Sequence, residues 1–228
     1  MTLKTYNFHR PKTTYFNWQL HVYSLSNSYR TILAAPIKQT SKLFEIYCLS
    51  VLETSILELG FVEFDKYFDN EKIKKIFVRD DFFIELYYEI DAVDIKEAHS
   101  GEVFYVNHYI NHLSPDFCII LRRNEQILNF IVCDAKCRKS YNLNSDIINK
   151  DYEKTIRDYL SLRYSMSDNL FKNTKTPECL LFLIPDDLNE EEYAPISNLN
   201  YMFCKLSVDG KESKFIDFFE GIFNEFLD

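Results

Sequence analysis

Hydrophobic and polar positions follow two different periods along this chain. From Ser41 to Leu59 (SKLFEIYCLSVLETSILEL) the period is helical, and Leu49, Leu52, Ile56 and Leu59 fall on one stripe at ~100° per residue. Ser41 can cap the start, and Gly60 suits the position just past the end. Glu45 lies in the middle of that apolar stripe, Glu53 at its flank, and Glu58 points away. A carboxylate on a buried face is costly unless something pairs with it, so Glu45 asks for a partner. The plain alternative is a first-turn glutamate that reaches solvent or favours the helix dipole.

Beyond Gly60 the residues are those of strands: 61–68, 76–78 and 82–90, divided by polar turns such as Asp69-Asn70 and Arg79-Asp80-Asp81. A charged loop is expected over 91–101 and another strand over 103–110. The stretch from Ser114 to Arg138 (SPDFCIILRRNEQILNFIVCDAKCR) reads as two strands around a polar turn at Arg122-Asn124-Glu125. A polar loop over 140–150 precedes a helix over 151–165, with Ile156, Tyr159, Leu160 and Tyr164 at helical spacing. Residues 178–184 (ECLLFLI) form a nearly continuous apolar run, the mark of a strand buried on both faces. An acidic loop (186–192), a strand (201–208) and an amphipathic helix (212–227) close the chain. Residues 1–40 carry short segments at 20–25 and 29–35 whose type the periodicity leaves open, and are expected as an arm packed on a domain spanning 41–228. Strands interleaved with helices define an α/β class, with a central mixed sheet flanked by helices.

Composition narrows the function. With 46% hydrophobic residues in 228, the chain can bury a sizeable core. It has neither a long uncharged apolar run nor an N-terminal signal pattern, which predicts a cytoplasmic protein without membrane contact. A net charge of −9 argues against sequence-blind wrapping of nucleic acid, though a local contact remains compatible with it. The four glycines form no phosphate-cradling loop, which excludes Walker-type and dinucleotide-binding readings. The six cysteines show no C-x-x-C pair and sit mostly in apolar runs, so buried reduced thiols are expected. Sixteen tyrosines and twenty phenylalanines, without interleaved basic residues, read as core and not as base-stacking platforms.

The candidate chemistry lies in the Ser114–Arg138 stretch. Residues two apart on a strand share a face, so Asp134 and Lys136 project together while Ala135 turns away. Asp116 opens the preceding strand. If the two strands pair as neighbours, both carboxylates reach one cation. Magnesium is satisfied by two carboxylates, a main-chain carbonyl such as that of Ala135, and waters. A lysine beside the cation can orient water or stabilise charge on a phosphate in its transition state. The motif is short and its chance rate high. What lifts it above chance is its position on two contiguous strands, with Glu45 inward-facing upstream. The other Pro-Asp, Pro185-Asp186, has no following D-x-K and is set aside.

Glu45, Pro115-Asp116 and Asp134-Ala135-Lys136 together resemble the PD-(D/E)xK nuclease superfamily, whose restriction-endonuclease-like core runs α-β-β-β-α-β. KLFEIYCLSVLETSILELGF, SPDFCIIL and FIVCDAKCRK are similar to McrC-type nuclease subunits. The resemblance implies Asp116 and Asp134 as metal ligands, Lys136 as the catalytic lysine, and Glu45 as a ligand or a partner of metal-bound water. It implies Mg²⁺, with Mn²⁺ able to substitute, and DNA cleavage in restriction or antiphage defence. Arg138, Lys139, Lys154, Arg157 and Arg163 are candidate substrate contacts, as are Arg122 and Arg123. Two features depart from the pattern. The Q-x-x-x-Y of many relatives is missing, since Leu160 stands four before Tyr164. The N-terminal domain through which McrC-type subunits dock on an NTPase ring has no counterpart in residues 1–40. An activating partner is therefore an expectation with a missing dock, and a homodimer follows from the need to cut two strands. The rival readings are a non-cleaving DNA- or partner-binding subunit and an RNA or repair nuclease on the same core. His108 and His112 stand at i, i+4 on an expected strand end, where that spacing does not bring ligands together.

Overall fold

The computed structural model describes residues 40–69, 72–106, 113–136, 154–167, 169, 173–185 and 201–206, together with 217, 220, 221 and 223. Helix α1 spans Thr40–Glu58. It closes through bonds from the Leu59 amide to the Ser55 carbonyl (3.1 Å) and from the Gly60 amide to the Leu57 carbonyl (3.0 Å). Gly60 has φ 84°, which a side chain would disfavour. The expected stripe of Leu49, Leu52, Ile56 and Leu59 is buried, but so are Phe44, Tyr47, Cys48 and Val51. A helix apolar nearly all round is one covered on several sides.

Eleven strands follow among the described residues: β1 (Val62–Asp69), β2 (Lys72–Arg79), β3 (Phe82–Tyr88), β4 (Val93–Asp94), β5 (Glu102–Tyr105), β6 (Phe117–Arg123), β7 (Gln126–Ala135), β8 (Leu162–Ser165), β9 (Thr174–Lys175), β10 (Cys179–Pro185) and β11 (Tyr201–Leu206). Seven make a central sheet in the order β1-β2-β3-β6-β7-β10-β11, and β4-β5-β8-β9 make a smaller one. Within the central sheet the pairings from β1 along to β7 are antiparallel. Those of β10 with β7 and with β11 are parallel. The fold is therefore α/β with a mixed, mostly antiparallel central sheet and, among the described residues, few helices.

Period two sorts the central strands between two cores. Phe117, Ile119 and Leu121 of β6, Ile131 and Cys133 of β7, and Leu181 and Leu183 of β10 pack with α1 and with Phe223. Their neighbours Cys118, Ile120, Phe130, Val132, Leu180 and Phe182 point to the other face. There they meet Ile156, Tyr159 and Leu160 of a helix over 154–160 and the strands of the small sheet. This alternation makes β6 and β7 apolar on both sides until their shared end.

Three expected elements differ. Of the helix expected over 151–165, the described part is helical over 154–160 and then ends, and Leu162–Ser165 forms β8 against β5. Ser161 closes the helix onto the Asp158 carbonyl by its amide (3.2 Å) and hydroxyl (2.6 Å). Leu162 and Tyr164, at period two, are both buried, and strand pairing overrides the helical spacing. The strand expected over 76–78 extends across Lys72–Arg79, because Ile73, Lys75 and Phe77 alternate inward through lysines that read as polar turn. The charged loop over 91–101 contains β4, and the strand expected over 103–110 is described only as β5. The arm over 1–40 (apart from Thr40), the loops over 140–150 and 186–192, and most of the helix over 212–227 lie outside the described residues. Among the described residues, no helix is long and apolar enough to cross a membrane. All five cysteines there are free thiols.

Candidate functional site

The two motif strands are neighbours, as their contiguity predicts. Phe117 stands opposite Cys133 in the β6–β7 register, so one further step on each strand brings Asp116 and Asp134 abreast. Three bonds fix the approach to Asp116. The Glu89 amide donates to its carbonyl (3.0 Å), the Ala92 amide to the Leu113 carbonyl (2.8 Å), and the Tyr159 hydroxyl to the Ser114 carbonyl (3.1 Å). The Asp116 carboxylate accepts a bond from the Ala135 amide at 2.6 Å. A strand residue's N–H and C=O point to the same side, so the Ala135 carbonyl also faces the Asp116 side of β7. From the other side, the Lys136 amide donates to the Leu183 carbonyl of β10 (2.9 Å), which pins the strand end.

Asp134 is 2% exposed. The Lys136 ammonium lies 2.5 Å from its Oδ2, as the two-residue spacing requires. That contact is an ion pair without hydrogen-bond alignment, so this buried oxygen accepts no aligned hydrogen bond. Glu45, half-buried on the first turns of α1, reaches the same strand end. Its Oε2 lies 3.5 Å from the Tyr88 hydroxyl at the end of β3 and 3.4 Å from the Lys42 ammonium.

The carboxylates feel one another. Burial, then the charges of Asp134 and Glu45, push the Asp116 carboxyl from its ordinary range up to about 8, against the bond from Ala135 and the charge of Lys136. Burial also raises the Glu45 carboxyl, with Lys42 opposing and Glu89 adding to the rise. Further negative charge is therefore resisted where water is scarce, and Asp116 holds its proton until a cation takes its place. A divalent cation fits this donor set: two carboxylates on abreast strand positions, a buried oxygen without a hydrogen bond, and a carbonyl on the same edge, all hard oxygens. Among the described residues, no three His, Cys, Asp or Glu side chains are grouped closely enough to share one ion. Glu45 is coupled to the aspartate pair by its field.

Sequence reasoning missed three groups here. Tyr159 was read as core, yet its hydroxyl lies near both aspartates. Burial, Asp134 and Asp116, in that order, raise it above the usual tyrosine range. Glu89 carried no signal at all, whereas Lys42 stood at i, i+3 from Glu45 and was legible as its partner. Several expected substrate contacts change. Arg163 lies on β8, not on the helix, and its guanidinium bonds to the Leu160 (3.2 Å) and Leu162 (2.6 Å) carbonyls. Arg122 is bound to Glu85 (2.8 Å) and the exposed Arg123 to Asp81 (2.5 Å), both at the far end of β6 from Asp116. Tyr164 belongs to β8 and bonds to Glu85, away from the aspartates. Lys154 and Arg157 are exposed on the 154–160 helix, where they were expected. Arg138, Lys139, His108 and His112 lie outside the described residues.

Comparison with protein-family models, with curated proteins and with solved structures finds no match to this chain.

Proposed function

We propose that this chain is a metal-dependent endonuclease of the PD-(D/E)xK class, hydrolysing DNA phosphodiester bonds. The observation that carries the reading is the meeting of Asp116, Asp134 and Lys136 at one strand end, within the field of Glu45, with Asp116 raised to about 8. The order of α1, β3, β6, β7, the 154–160 helix and β10 supports it. So does the antiparallel, antiparallel, parallel pairing of those strands. Both follow the α-β-β-β-α-β plan of a restriction-endonuclease-like core.

In this reading Asp116, Asp134 and the Ala135 carbonyl hold Mg²⁺ or Mn²⁺. The ion, when bound, supplies positive charge that polarises the scissile phosphate. Lys136 sits on Asp134 and has its ammonium ready to orient the attacking water and to stabilise charge developing on the phosphate. Glu45 orients water from the helix side. The engaged Arg122, Arg123 and Arg163, and the acidic net charge, favour a substrate path completed by a partner or a second copy.

The test is cleavage of supercoiled plasmid, single-stranded DNA and RNA with Mg²⁺ or Mn²⁺, beside Asp134→Ala and Lys136→Ala. Nicking by the wild type, lowered by about 100-fold or more in either variant, is expected. Absence of cleavage of every substrate, with the metal bound and the chain folded, favours the non-cleaving subunit instead.

A further inference from the structure

Lys42 occupies an unusual place beside this site. Its ammonium pairs with Glu45 Oε2 at 3.4 Å and, more closely, with Glu89 Oε1. It also lies over the Tyr88 ring, 4.8 Å from the centroid. Glu89 is held in turn. Its backbone has φ 52°, a left-handed conformation rare for glutamate, and its amide donates to the Asp116 carbonyl. A residue kept in that conformation is over-determined by its surroundings, and such positions gather at sites of function. One lysine therefore ties the helix glutamate to the turn after β3 whose amide bonds to Asp116. All three side chains of this bridge are partly shielded from water, so its charges act at reduced screening.

We propose that Lys42 is an internal counter-ion of the site, a cation built into α1 that competes with the divalent ion for Glu45 and so sets how tightly that ion is held. This rests on the reading of Asp116 and Asp134 as a metal pair. With no ion bound, the ammonium offsets the charge of Glu45. A bound ion would draw on the charge of Glu45, and Lys42 would keep Glu89 as its partner. Lys42 is thus a tuning residue and not a ligand. Its removal should strengthen ion binding, whereas loss of a residue that only positions Glu45 should weaken it.

Mn²⁺ titration by calorimetry separates these outcomes, on wild type, Lys42→Met, Lys42→Arg and Asp134→Asn. Thermal unfolding in chelator reports whether each variant is folded. Lys42→Met is expected to bind Mn²⁺ roughly threefold to tenfold more tightly, as for one like charge removed at a partly exposed site. Lys42→Arg, which keeps the charge, should stay near wild type. Should Lys42→Met be unstable, Lys42→Gln provides the same reading. Affinity that is unchanged or weaker in a folded Lys42→Met overturns the counter-ion role, while leaving the aspartate pair intact. If neither wild type nor Lys42→Met takes up Mn²⁺, the metal reading falls and this inference with it. Equal binding by Asp134→Asn places the ion elsewhere and overturns both.

Discussion

Asp116 illustrates what one side chain reveals about its surroundings. Its carboxyl, normally acidic, is raised to about 8 because burial and two neighbouring carboxylates oppose its ionisation. A folded value above the unfolded one means that the native state holds this proton more tightly. The stability it contributes is full below the unfolded value and is lost as pH rises through about 8. Without metal, the melting temperature should therefore fall by several degrees between pH 5 and pH 8. Asp116→Asn should flatten that slope, and saturating Mn²⁺ should reverse it, because the ion replaces the proton. Thermal unfolding in chelator and in Mn²⁺ across that range provides the measurement. A slope unaffected by Asp116→Asn would move the excess charge to some other group.

At the scale of elements, the lysine that extends β2 inward is the point to test. Lys75 is 1% exposed, and its ammonium lies 2.7 Å from Glu53 on α1 and 3.3 Å from Glu63 on β1. It ties the helix that carries Glu45 to the edge of the sheet. Lys75→Met alone should cost about 3 kcal/mol, because the buried Glu53 carboxylate loses this cationic partner. Lys75→Met with Glu53→Leu should recover most or all of that in urea unfolding, as apolar replacements of a buried pair do. A double variant no better than the single would mean that the lysine acts through packing alone. This pair also marks where the sequence stops being legible. Leu49, Leu52, Ile56 and Leu59 announced α1 by their period, and the apolar runs announced β3, β6, β7 and β10. Glu53 looked like a flank residue and Lys75 like part of a turn, because a buried ion pair disrupts the apolar period on both elements at once. The same limit hid the end of the 154–160 helix. Tyr164 fits a helical and a strand period equally, and only the pairing of β8 with β5 decides between them. The motif residues were legible because the two strands are contiguous. Glu89 was not, because its role comes from a backbone turn and not from a spacing.

In the whole molecule, the two sheets are joined by a carboxylate that titrates in the opposite sense to Asp116. Glu85, nearly fully buried on β3, accepts bonds from the Tyr87 (2.5 Å) and Tyr164 (3.0 Å) hydroxyls. It pairs with Lys74 at 3.2 Å and with Arg122 at 2.8 Å. Tyr164 belongs to β8, so this carboxylate fastens the small sheet to the large one. Burial works against its charge, but Lys74, the Tyr87 hydroxyl and Arg122 outweigh it and hold the carboxyl below its ordinary range. Its contribution to stability is therefore present above the unfolded value and lost as pH falls through the lowered one. Two carboxylates on one sheet thus give opposite limbs. In chelator, stability should rise from strong acid to a maximum between about pH 4 and 6 and then decline towards pH 8. Glu85→Gln should remove most of the acid limb and lower stability at neutral pH by about 2 kcal/mol, since Lys74 and Arg122 lose a charged partner that is only partly screened. It should leave Mn²⁺ affinity within about twofold of wild type, because the network stands apart from the aspartates. Urea unfolding from pH 3 to 8, with Mn²⁺ titration at neutral pH, measures both. An acid limb that survives Glu85→Gln would place its origin in another carboxylate and not in the charge that joins the sheets.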